Sequence, residues 1–207
     1  IATYAQACSR LLRAEVATNP DILSTMELIG EEAIRAGGII HNLREFASKR
    51  ESRRDVCHVN ELVRDVARLA DVDSRLQRIG LRLQLAKELP IILADSVQIQ
   101  QVILNLVRNA VEATERVKEV GKGITVYTAL ADGSEVHISV ADAGTGVAPE
   151  AAEKLFRPFF TTREDGMGLG LSISRSIAEA HGGRLWFTPN SHAGVTFHVA
   201  LPVGSSV

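Results

Sequence analysis

Two glycine clusters constrain this chain more than any other stretch. Asp142-Ala143-Gly144-Thr145-Gly146 closes a strand-like run, His137 to Ala141, and Gly166-Met167-Gly168-Leu169-Gly170-Leu171 opens a helix-like one. Between them lies Leu155-Phe156-Arg157-Pro158-Phe159-Phe160-Thr161-Thr162. Glycine lacks the Cβ that keeps other groups away from the main chain, so each cluster marks a close approach. A strand end and a helix start, both stripped of side chains, read as two walls of one pocket. The amides and dipole of a helix N-terminus favour phosphate, which points to a nucleotide. Neither cluster is Gly-x-x-x-x-Gly-Lys-Ser/Thr or Gly-x-Gly-x-x-Gly, so the P-loop and the Rossmann fingerprint do not apply.

The rest of the chain divides into two patterns. From Ile1 to about Val16, the apolar residues Ile1, Tyr4, Cys8, Leu11 and Leu12 recur at helical spacing. Thr18-Asn19-Pro20-Asp21 breaks that helix and restarts it. In the second helix, to about Arg50, Ile22, Met26, Ile29, Ala33, Ala36, Ile40, Leu43 and Ala47 alternate four and three apart. Ile39 and Phe46 widen this heptad seam. Two antiparallel helices cannot bury so wide a stripe alone, so the spacing predicts a homodimeric four-helix bundle. The charged run Lys49-Arg50-Glu51-Ser52-Arg53-Arg54-Asp55 has no apolar period and reads as a linker. The expected domains are residues 1–54 and 55–207.

Past the linker the periods alternate between strand and helix, giving an α+β chain. The pattern predicts a strand at Val56–Val59, a helix from about Asn60 to Leu69, and a strand in which Leu81, Leu83 and Leu85 alternate with polar residues. The longest helix follows, from about Asp95 to Arg116, capped by Asp95 or Ser96. Strands Gly123–Leu130 and Glu135–Ala141 meet at Asp132-Gly133. A helix over Gly170–His181, stopped by Gly182-Gly183, and strands Arg184–Thr188 and Gly194–Leu201 complete the set.

Composition narrows the class. With 207 residues and 45% apolar content, the chain can bury a real core. A formal charge of -2 gives no pull toward nucleic acid or an anionic membrane. No apolar run is long enough to cross a bilayer, and no basic-then-apolar segment opens the chain. Cys8 and Cys57 suggest a reducing compartment, with Cys8 a buried seam thiol. Ile1 to Cys8 have no initiator Met, cap or polar leader and read as the middle of a helix, so a longer protein is expected.

On the long helix, Val102, Ile103, Leu106, Val107 and Ala110 form a face to bury, while Gln101, Asn105, Asn109 and Glu112 follow a separate stripe. Amide oxygens one turn apart suit a hard cation such as Mg²⁺, which also shares phosphate oxygens. A single Asn there would read as a solvated helix face; the pair upstream of two glycine clusters is harder to dismiss. A carboxylate at a strand end, Asp142, can accept from an exocyclic amine and so tell adenine from guanine. Taken alone, that segment is equally a tight Asp/Gly turn.

Four motifs occur in order: Asn105-Leu106-Val107-Arg108-Asn109-Ala110-Val111-Glu112-Ala113, Asp142-x-Gly144-x-Gly146, Leu155 to Thr162, and Gly166-x-Gly168-Leu169-Gly170-Leu171. Together they resemble the sensor histidine kinases of two-component systems, within the GHKL (Bergerat-fold) ATP-binding proteins. His181-Gly182-Gly183 and Gly194-x-Thr196-Phe197 fit the same pattern, and the likeness covers essentially the whole chain. The form of the asparagine motif looks like the nitrogen-regulation and oxygen-sensor branch.

The resemblance implies a dimerisation and histidine-phosphotransfer hairpin followed by a two-layer α/β sandwich of the Bergerat type. Position by position, it implies that Asn109 coordinates Mg²⁺ and that Asn105 helps hold the metal and the phosphates of ATP. Glu112 belongs to the same motif. Asp142 takes the adenine amine, Gly144 and Gly146 shape the base site, and Thr196 reaches it through water. Phe156 and Phe159 anchor a short mobile lid that holds Thr161, Thr162 and Arg163, with Arg163 on the phosphates. Gly166, Gly168, Leu169, Gly170 and Leu171 form its hinge and phosphate loop.

Hydrolytic members of the superfamily carry Glu where this chain has Asn105. A carboxamide is no base, so the resemblance implies transfer to a histidine rather than to water. The family's acceptor motif would end just before Ile1, which puts that histidine roughly two to three helical turns upstream. His41 lacks a following carboxylate and sits on the second helix. His181 is expected to close a helix C-terminus, where an imidazolium is favoured, and no histidine pair has zinc-site spacing. The implied partners are a second copy of the chain and a response-regulator receiver domain, with no nucleic acid and no direct membrane contact, in the cytoplasm. Two alternatives stand beside this: a GHKL ATPase clamp, against which Asn105 and the hairpin count, and a non-catalytic ATP-binding dimerisation module.

Overall fold

The computed structural model describes residues 25–26, 29–30, 54–70, 79–117, 123–162 and 167–204. The chain forms two compact units, Ile1–Arg50 and Glu51–Val207. In the first, Thr25, Met26, Ile29 and Gly30 are helical. The rest of the expected hairpin and its seam lies outside the described residues.

The second unit begins with strand β1 (Asp55–Cys57), helix α1 (Val59–Ala70), strands β2 (Leu81–Gln84) and β3 (Ile92–Ala94), and helix α2 (Ser96–Glu115). Strands β4 (Ile124–Ala131) and β5 (Glu135–Ala141), helices α3 (Pro149–Ala152) and α4 (Gly170–Ala180), and strands β6 (Arg184–Pro189) and β7 (Val195–Pro202) follow. β1 and β3 pair antiparallel, Val56 opposite Leu93. The other five strands form a mixed sheet in the order β2-β4-β5-β7-β6, parallel only between β2 and β4.

Local chemistry sets these elements. The Asp95 carboxylate caps α2, accepting from the N–H of Val97 and Gln98 at 3.1 and 3.2 Å. The β4–β5 turn puts Asp132 and Gly133 at φ 49° and 69°, the left-handed pair that matches the twist of a tight hairpin. On α2, Ile99, Val102, Ile103, Leu106, Val107, Ala110 and Val111 are buried. They face Val126, Val136, Ile138, Val140, Phe197 and Val199 from one side of the sheet, in one continuous core. α1 and α4 both pack on α2, which makes a helical layer over that side. A fully buried aliphatic side chain of this kind contributes about 1.5–3 kcal/mol, so this seam holds the unit together.

The expected strand at Val56–Val59 is corrected at its end. Val59 begins α1, whose first turn hydrogen-bonds Glu61 and Leu62 back to the His58 carbonyl. Among the described residues no helix is long and apolar enough to cross a membrane.

Candidate functional site

α2 and α4 run antiparallel side by side. The start of α2 meets the end of α4, where the Asp95 N–H donates to His181 Nε2 at 3.0 Å. Midway along α2, Asn105 meets the start of α4: its Nδ2 donates to Ser174 Oγ at 2.9 Å. A Cβ on Gly170 would overlap Asn105 Oδ1, so the glycine is what lets the amide lie against the helix start. α4 therefore begins opposite Asn105. Asn109 and Glu112, further along α2, lie beyond its start and are half-buried. Asn109 makes no side-chain hydrogen bond among the described residues.

The first glycine loop presses on the last turns of α2. A Cβ on Gly144 would stand 2.5 Å from the Ala113 carbonyl carbon and oxygen, so only glycine fits there. Asn109 thus sits between the start of α4 and the Asp142–Gly146 loop. Asp142 itself is 4% exposed. Its Oδ1 accepts from the N–H groups of Gly144 and Val195 at 2.8 and 3.3 Å. Both bonds fall on Oδ1, which leaves Oδ2 as an acceptor for a donor from outside the chain. Burial pushes this carboxyl above the ordinary Asp range, outweighing the two N–H groups that pull it down.

The main chain of Asp142 is fixed from behind. Its N–H donates to the Val195 carbonyl at 3.0 Å, and its carbonyl accepts from Asn190 Nδ2 at 2.8 Å. Gly194, at φ +83°, packs so closely that a Cβ would overlap the Asp142 carbonyl oxygen, and Gly146 lies next to Gly194.

The second glycine loop is pinned to the aromatic-proline motif. The Phe159 N–H donates to the Gly168 carbonyl at 3.0 Å, and a Cβ on Gly168 would fall 2.5 Å from Phe160 O. Phe159 is exposed and held at φ 66°. Phe156 lies under the Arg175 guanidinium, 5.6 Å from its ring centre. Leu169 is buried at the N-cap position, and no side chain caps α4. Leu171 is half-buried in its first turn. Thr161 is half-buried and Thr162 exposed; Arg163 and Gly166 lie outside the described residues.

One expectation needs correction. Thr196 pairs with Ala141, while its neighbours Val195 and Phe197 are buried toward the helices. Strand alternation therefore turns Thr196 to the opposite face of the sheet from the Asp142 side chain, where its hydroxyl donates to Asn190 Oδ1 at 2.7 Å. Val195 takes the place on the Asp142 side. His181 closes α4 as expected: it is the C-cap, its Nε2 accepting from the Asp95 N–H and its Nδ1 donating to the Ile177 carbonyl at 2.8 Å. Ser174 and Asn190 join the site without having been read from sequence. Their only signals were a serine one turn after Gly170 and a turn asparagine after Pro189.

A strand-end carboxylate, an asparagine helix and an uncapped helix start thus converge across two glycine loops. Residues 94–205 match the family of histidine kinase-, DNA gyrase B- and HSP90-like ATPases. The chain belongs to this family. The ATPase-family chain is 39% identical over 203 residues to the sensor protein FixL of Bradyrhizobium diazoefficiens, across 98% of its own length and 40% of the relative's. It thus spans about two fifths of that relative. Among solved structures, full-length ShkA in complex with AMPPNP is 29% identical with a TM-score of 0.73, over 97% of this chain and 42% of that one. Histidine kinase ThkA in complex with the response regulator protein TrrA is 29% identical with a TM-score of 0.74, over 98% and 57%.

Proposed function

We propose that this chain is the kinase core of a two-component sensor histidine kinase. It binds Mg-ATP between α2 and the two glycine loops, and transfers the γ-phosphoryl to a histidine outside the described residues. The observation that carries the reading is Asp142: a buried carboxylate with one oxygen satisfied by the main chain and the other presented outward. That oxygen accepts the exocyclic amine of adenine, with Gly144 and Gly146 giving the base room against α2.

The uncapped first turn of α4 offers N–H groups to the phosphates. The amides of Asn105 and Asn109 suit Mg²⁺, and the unpartnered Asn109 side chain is the fit that supports it. Bound magnesium would neutralise charge on the phosphate oxygens. Thr161, Thr162 and Arg163 form the lid over this end. With Asn rather than Glu at 105, no carboxylate there activates water, so the bond between γ-phosphorus and ADP breaks as one forms to an imidazole nitrogen. The hairpin pairs two copies of the chain, and the phosphoryl passes on to a response-regulator aspartate. The ShkA nucleotide complex and the ThkA–TrrA complex support both halves of this reading.

Incubating the longer protein with γ-labelled ATP tests it. A base-stable, acid-labile label on the protein, lost in Asp142→Ala, is expected. Rapid steady-state hydrolysis without protein label would favour the ATPase clamp instead.

A further inference from the structure

Ser174 is buried, at 2% exposure, on the helix that starts at the phosphate end of the site, yet no family motif quoted above includes it. Its hydroxyl meets one end of the Asn105 amide, and the other end lies over the Gly170 Cα. Gly170 and Ser174 are four residues apart and so share one face of α4. Together they clamp the amide, and its two ends are not equivalent. The end over Gly170 stands in the first turn of α4, where the positive end of the helix dipole favours a carbonyl oxygen over an NH₂ group. That leaves the NH₂ group for Ser174.

We infer that Ser174 is a positioning residue: by accepting from Nδ2 it locks the Asn105 amide in the orientation the α4 dipole favours, with Oδ1 toward the metal and phosphates. With the hydroxyl in place, Oδ1 faces the phosphate end and can serve a cation. Without it, the amide is free to turn and present its hydrogens, which repel one. This rests on the nucleotide reading proposed above.

The test is equilibrium ADP binding, with Mg²⁺ and with EDTA, by wild-type chain, Ser174→Ala, Asn105→Asp and the double variant. Orienting partners behind a metal ligand are worth about tenfold in affinity, so Ser174→Ala should weaken Mg-ADP by about that factor. Binding without magnesium should hardly change. In the Asn105→Asp background the effect should vanish, because both carboxylate oxygens are acceptors and orientation no longer matters. Melting temperatures of the four proteins without ligand monitor folding. Equal losses with and without magnesium, equal losses in both backgrounds, or no loss at all would each overturn the inference. If wild-type chain binds no ADP, the nucleotide reading fails, and this inference with it.

Discussion

The backbone N–H of Asp95 donates to Nε2 of His181, and the same imidazole donates from Nδ1 to the Ile177 carbonyl. The residue that caps α2 is thereby tied to the residue that ends α4, and His181 is 3% exposed. Replacing His181 by Phe keeps an aromatic ring there but strands the part-buried Asp95 N–H. That costs about 1–3 kcal/mol, readable as a lower denaturant midpoint at unchanged m-value. Asp95→Ala, which removes the cap itself, should cost about 1 kcal/mol.

Gly194 and Gly133 separate two effects of the missing Cβ. Both have positive φ, but a Cβ at Gly133 meets nothing within 4 Å, whereas at Gly194 it collides with Asp142. Gly133→Ala should destabilise by about 1 kcal/mol from backbone strain alone. Gly194→Ala should cost about 3 kcal/mol or more, since it adds a clash with main chain that cannot move aside. Chemical denaturation of the two variants reads the difference.

Asp142 stands at odds with stability. Its carboxyl is raised above the ordinary 3.8, mainly by burial, so folding disfavours its ionised form. Its ionisation therefore costs stability above the folded pKa, and the cost disappears as pH falls through that value. Asp142→Asn should make the ligand-free chain more stable at neutral pH while weakening nucleotide binding. A carbon-13 NMR titration should place the Asp142 carboxyl above 3.8.

The face of the sheet turned away from the helices shows the opposite sign at Glu135. A two-pronged pair with Arg184, then a bond from His137 at 3.2 Å, lowers its pKa from 4.5 to about 2. Its contribution is fully present above 4.5 and is lost as pH falls through about 2. Arg184→Met should flatten that acid limb. Close by, His198 stacks on Trp186 at 5.0 Å, and burial, then the charge of His137, lowers its pKa below 6.5. Stability should therefore begin to fall as pH drops below 6.5, and His198→Gln should remove that slope.

Much of this was legible in the chain itself, for identifiable reasons. The buried face of α2 and the Asp132-Gly133 turn follow from short-range rules of period and backbone conformation, and both stand in the structure. β3 was not readable: Ile91-Ile92-Leu93-Ala94 is uniformly apolar, so neither a two- nor a 3.6-residue period appears in it. The boundary at Val59 is set by hydrogen bonds from Glu61 and Leu62 to the His58 carbonyl, which the β-branched Val59 itself does not signal. Thr196 went astray by one residue of register, enough in a strand to reverse its face. Ser174 and Asn190 reach the site through Asn105 and Asp142, 69 and 48 residues away, which no local pattern encodes.

The most direct measurement is calorimetric titration of Mg-ATP into the wild-type chain, Asn109→Asp and Asp142→Asn. Saturable one-site binding, weakened in both variants, is what the proposed site predicts. No binding, or affinities equal in all three proteins, would contradict it.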